Sequence, residues 1–191
     1  MPVGVPKVPF LIPKKNRLYR IRTLFLFQEL TQEVTNNITG LMVYLNLDDN
    51  TLEQFLFINS TGGKMVNGLA VYDTSQAVDP DVHTLCVGLA ASMAALILSG
   101  GALTKRIAFP HARVMIHQPK VSITGEPLTR AEDAHMDLDE VKILRRTVLY
   151  NYANRSPMPL EVIAADMERD TFMSPTEAQA YGIIDSIGVD W

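Results

Sequence analysis

At 191 residues, with 47% hydrophobic and 20% charged residues, the chain has the length and balance of one globular domain rather than a disordered segment. Seventeen basic against 21 acidic residues leave a net charge of -4, which argues against a nucleic-acid-binding surface. Cys86 is the only cysteine, so the chain has no disulfide framework of its own, and its apolar setting predicts an inert, packed thiol.

In chain order, Met1-Pro-Val-Gly-Val-Pro-Lys-Val-Pro9 lacks the apolar run of a signal peptide and is not Ser/Arg-rich like a transit peptide. Residues 24–30 predict a first strand. Thr31 caps a helix to Leu47, with Val34, Ile38, Leu41, Met42 and Leu45 on one face. Residues 54–58 predict a second strand ending in the turn signal Asn59-Ser-Thr-Gly-Gly63, and residues 65–78 a helix closed by Asp79-Pro80. Residues 82–87 read as a strand covered on both faces. Gly88 then permits a change of direction into an apolar helix that ends at Gly100-Gly101. The uncharged stretch 84–104 has the length of a membrane span, but Gly88, Ser92, Ser99, Gly100 and Gly101 divide it into a strand and a helix. Short strands are expected at 106–109 and 114–117. A long helix at about 128–155 carries Leu138, Val141, Leu144, Val148 and Tyr152 on one stripe, and its charged remainder is either a solvated face or a docking face. Helices at 160–169 and 175–181 and a strand at 183–185 complete the chain. Strands alternating with helices imply a largely parallel α/β sheet in one domain.

Ser92 falls between strand and helix, where free backbone N–H groups and the helix dipole suit a nucleophile whose attack creates an oxyanion; the alternative is a plain helix cap. A serine nucleophile needs a base. His117 closes Val114-Met-Ile-His117 at the carboxyl end of a strand, where α/β sheets line their ligand crevice. His83 opens a buried strand, His111 lies between short strands and His135 sits on a polar helix. Asp170 is a candidate acceptor for the far imidazole N–H, or else a surface partner of Arg169. Gly62-Gly63 follows a strand end and can turn N–H groups into the crevice, but no Walker spacing follows it. Metal-ligand spacings are absent, and Gly-x-Ser-x-Gly is replaced by Ala90-x-Ser92-x-Ala94.

Several segments, in order and across nearly the whole chain, resemble the proteolytic subunits of Clp proteases (the ClpP family, peptidase family S14), above all the plastid-encoded members. They are Met1-Pro-Val-Gly-Val-Pro-Lys-Val-Pro-Phe10, Phe57-Ile-Asn-Ser-Thr-Gly-Gly63, Ala70-Val-Tyr-Asp-Thr74, Gly88-Leu-Ala-Ala-Ser-Met93, Arg113-Val-Met-Ile-His-Gln-Pro119, Asp166-Met-Glu-Arg-Asp-Thr-Phe-Met-Ser174 and Glu177-Ala-Gln-Ala-Tyr-Gly182. The resemblance implies a ClpP/crotonase-like α/β fold: an N-terminal axial segment, 1–18, then a peptidase domain, 19–191, whose long helix is a handle between stacked heptameric rings. It implies a serine endopeptidase with Ser92 as nucleophile, His117 as general base and Asp170 orienting it, and with the N–H groups of Gly63 and Met93 as oxyanion hole. It further implies that Arg169 pairs across the rings and that Phe55 and Phe57 line a pocket for a partner AAA+ ATPase. That partner uses the ATP and delivers unfolded proteins, so the chain itself needs no cofactor or metal, and the location implied is the chloroplast stroma. Four features depart from the family pattern: Thr61 in place of proline, a shortened stretch at 14–18, Ala77 and Gly188 in the docking pocket, and an unusual sequence at 122–128. The altered Gly-Gly loop and docking pocket motivate an alternative, a structural ring subunit with an idle triad. A crotonase-like acyl-CoA enzyme would share the oxyanion logic without needing the triad.

Overall fold

Leucine and isoleucine alternate with phenylalanine along Leu24-Phe-Leu26 and Leu56-Phe-Ile58, a period of two that sends one set into the core and the other to the opposite face. In the computed structural model, which describes residues 21–118 and 131–188 (without the side chains of 131–138 and 140), these segments become β1 (Thr23–Leu26) and β2 (Gln54–Ser60), paired in parallel. Strand β3 (Val82–Ala91) lies against β2 and changes partner along its other edge. Thr84–Cys86 pair with β4 (Arg106–Ala108), and Leu89–Ala91 pair with β5 (Arg113–Ile116). Strand β7 (Ser186–Ile187) extends the sheet beyond β4, and β6 (Thr171–Met173) pairs antiparallel with β5.

The Thr31 hydroxyl accepts the Val34 N–H at 3.3 Å and starts α1 (Gln32–Asp48), which buries Val34, Ile38, Met42 and Leu45. Helix α2 (Met65–Ala77) packs against both α1 and α3 (Met93–Ser99). Every residue of α3 is buried. The uncharged stretch is therefore β3 followed by a central helix, and no helix among the described residues is long and apolar enough to cross a membrane. Helices α4 (Ala131–Ala153), α5 (Leu160–Asp166) and α6 (Pro175–Tyr181) follow. Val148 and Tyr152 anchor α4 in the same core that α1 and α3 enter, while Ile143 and Tyr150 stand exposed.

Four expectations change. Gly88 does not turn the chain: β3 runs on to Ala91, and Gly88, at φ 101°, sits in a bulge whose Leu89 N–H donates to Asn59 Oδ1 at 3.1 Å. Helix α5 stops at Asp166, whose carbonyl accepts from the Thr171 hydroxyl. The apolar stretch after Asp170 is a strand, β6. Ile183 and Ile184 are core residues rather than a strand, because the Ile183 N–H folds back onto Ala178 O at the end of α6; the strand is Ser186–Ile187. The N-terminal segment 1–18, the unusual stretch 122–128, the first residues of the expected handle and the side chains of His135 and Leu138 lie outside the described residues.

Candidate active site

The turn from β3 into α3 is made by Ser92 itself, at φ 57° and ψ -125°, a conformation that strains a residue with a side chain. Its N–H donates to Met115 O at 2.9 Å, which ties the turn to β5. The hydroxyl makes no capping bond to α3. It stands instead 2.8 Å from His117 Nε2.

His117 follows β5 directly, and the next residue is held by a Gln118 N–H bond to Met167 O at 2.5 Å. Asp170 precedes β6, whose Thr171 lies opposite Ile116 of β5, so strand pairing brings acid and imidazole together. His117 Nδ1 lies 2.9 Å from Asp170 Oδ1. An ionised carboxylate only accepts, so Nδ1 carries the proton there. Nε2 is then the acceptor for the Ser92 hydroxyl proton. The imidazole is 13% exposed and the carboxylate 47%.

The glycine loop reaches this point by a bracing set of bonds. Ser60 Oγ donates to Gln28 O at 2.6 Å and accepts the Gly62 N–H at 3.0 Å, and the Leu30 N–H donates to Gly62 O at 2.8 Å. Gly62, at φ 86°, presses its α-carbon on the serine turn: a Cβ there would lie 2.6 Å from Ala91 O and 2.9 Å from Ser92 Cβ. Met93 opens α3, where first-turn N–H groups have no acceptor within the helix. Ser92, His117, Gly63 and Met93 all border one open cleft of about 350 Å³, to which α4 contributes Val148 and Tyr152.

Other groups are unsuited to this chemistry. Burial pushes the Cys86 thiol up to about 12, so it stays protonated. Burial also raises Tyr152, which remains a neutral phenol. His83 Nε2 is engaged by Glu53 Oε2 at 2.9 Å and its ring stacks on Phe55, while His111 is exposed in the turn before β5. Among the described residues no group of three or more His, Cys, Asp or Glu could hold a metal ion.

Arg169 is exposed beside Asp170. Phe55 lines a second cavity, about 490 Å³, with Ile21 and Leu52, whereas Phe57 stacks on Phe25 at 5.6 Å and lies outside that lining; Ala77 and Gly188 border neither cavity. Sequence reasoning missed Ser60 and the distinct role of Gly62. The Asn-Ser-Thr-Gly run, a side-chain turn signal, held the clue.

Hydroxyl, imidazole and carboxylate in one hydrogen-bonded chain, beside helix-end N–H groups, form the arrangement with which serine hydrolases carry out acyl transfer. The family model described as Clp protease matches residues 11–190. The ATP-dependent Clp protease proteolytic subunits of Nicotiana tabacum and Spinacia oleracea are each 54% identical to this chain over 203 aligned residues, covering both partners in full. That of Coffea arabica is 52% identical over 199, again covering both in full. The chain belongs to the Clp protease family of serine peptidases.

Proposed function

We propose that this chain is an active endopeptidase subunit of a Clp protease, and one observation carries the reading: the continuous relay Ser92 Oγ–His117 Nε2, 2.8 Å, and His117 Nδ1–Asp170 Oδ1, 2.9 Å. His117 takes the Ser92 proton as Oγ attacks the peptide carbonyl, and the N–H groups of Gly63 and Met93 receive the oxyanion. The imidazolium, its charge offset by Asp170, then protonates the leaving amine, and water releases the acyl group with His117 again as base. No cofactor or metal enters these steps.

The family supports a wider assembly. In it the peptidase domain, 19–191, forms stacked seven-membered rings with α4 as the handle between them, Arg169 at the ring–ring contact and residues 1–18 as a shortened axial segment. Phe55 and Phe57 meet an AAA+ ATPase that spends ATP to deliver unfolded polypeptides. The plant sources of the relatives support the chloroplast stroma as the place of action.

A serine-directed fluorophosphonate applied to the assembled complex tests the chemistry. Mass mapping is expected to find the adduct on Ser92, to lose it in Ser92→Ala, and to find labelling slowed roughly 10⁴-fold in His117→Ala. An unlabelled native Ser92, or a complex that keeps its full peptidase rate after Ser92→Ala, would favour the idle ring subunit instead.

A further inference from the structure

The cleft beside Ser92 carries two charges that no step of acyl transfer uses. Lys64 directly follows Gly63 and stands at the N-terminus of α2, where its side chain makes no capping bond. Glu29 precedes Leu30, which forms a parallel bridge with Gly63 and whose N–H donates to Gly62 O. Both residues line the cleft and both are exposed, and neither joins an ion pair with any described residue.

Resting on the reading of Ser92 as nucleophile, we propose that Lys64 is a specificity-determining residue, which makes peptides with an acidic side chain beside the scissile bond the better substrates. A carbonyl held at the Gly63 N–H places the adjoining substrate residue within the sweep of the Lys64 side chain, one position further along the same loop. The remaining wall near it (Met65, Val148, Tyr152) is apolar or neutral. Glu29 lies on the neighbouring segment, one residue before the bridge, and is the one acidic residue among the described residues of the lining. An exposed ion pair of this kind corresponds to roughly two- to five-fold in rate, and reversing one sign replaces attraction by repulsion.

The test uses the assembled complex and three peptidyl diphenyl phosphonates that differ only in Asp, Asn or Arg at the residue before the phosphonate. Ser92 Oγ attacks phosphorus, phenoxide leaves, and the hydroxyl proton passes to His117. Intact mass of this chain reads its own labelling whatever other subunits are present. The Asp probe is expected to label native Ser92 roughly two- to five-fold faster than the Arg probe, with the advantage shrinking in high salt. Lys64→Gln is expected to bring the ratio near unity, and Lys64→Glu to invert it. A native preference for Arg, or one Asp/Arg ratio shared by native and Lys64→Glu, overturns the assignment while leaving the nucleophile in place. Ser92 refusing all three probes while still taking the fluorophosphonate overturns the assignment alone, and refusing the fluorophosphonate as well overturns both readings.

Discussion

At the scale of single residues, the site depends on two backbone conformations that oppose each other across a van der Waals gap. Ser92, at φ 57°, aims its hydroxyl away from α3 and toward His117, and Gly62, at φ 86°, packs against that turn. A methyl group at position 62 would strain its own backbone and overlap Ala91 O and Ser92 Cβ, so the turn itself must give way. Gly62→Ala is expected to cost about 2 kcal/mol of stability and to slow fluorophosphonate labelling of Ser92 by at least roughly ten-fold, because small displacements of a nucleophile are expensive in rate. Thermal melting of the complex and the labelling rate read the two effects separately. Native-rate labelling in an assembled Gly62→Ala complex would mean that the close approach does not set the serine's position.

At the scale of elements, β3 has two tasks, pairing with β2 and β4 and then delivering Ser92 beside β5. The bulge reconciles them. Ile58 faces Cys86 and Ser60 faces Ala90, so extra residues of β3 are taken up around Gly88, after which Leu89–Ala91 reach β5. Gly88→Ala puts a side chain where φ is 101° and where Asn59 Oδ1 would be 2.9 Å away. A loss of about 2 kcal/mol is expected, together with slower Ser92 labelling; a melt and a labelling rate unchanged from native would show that the bulge tolerates a side chain. This element also marks where the sequence stops being readable. Helices fixed by local signals fall where their patterns place them: α1 behind the Thr31 cap, and α6 behind Pro175 and the Ser174–Glu177 capping box. Gly88 is compatible with a turn or a bulge, and Asn59, 30 positions from Leu89, decides between them. The site divides in the same way. Ser92 and His117 are legible as residues at the ends of parallel strands. Asp170 is one carboxylate among many by composition, since the β5–β6 pairing that carries it to His117 is non-local and β6 is too short to show a period.

At the scale of the whole molecule, an ion pair joins β4 to the C-terminal region. Arg106, which opens β4 and is 4% exposed, donates from Nε to Asp185 Oδ2 at 2.9 Å and from Nη2 to Oδ1 at 2.6 Å, and its Nη1 donates to Gly182 O at 2.7 Å. The fork spans 79 residues of sequence, and it fixes the segment between α6 and β7 against β4. Burial alone would raise the Asp185 carboxyl, but the hydrogen bonds and charge of Arg106 outweigh it and hold the group below the usual carboxylate value. A depressed folded-state value means that the pair's contribution is complete above the unfolded carboxylate pKa, about 3.9, and is lost as pH falls through the lower folded-state value. Asp185→Asn keeps the shape but leaves a buried guanidinium without its counter-charge, so a loss of about 3 kcal/mol is expected at neutral pH. Urea unfolding of native and variant complexes from pH 7 down to about pH 3 reads this difference directly. The gap should stay constant through neutral and mildly acidic pH and close only below about 4. A gap already closing near pH 6, or one that widens with acid, would mean that Asp185 is not the group holding Arg106 and that another contact anchors the C-terminal strand.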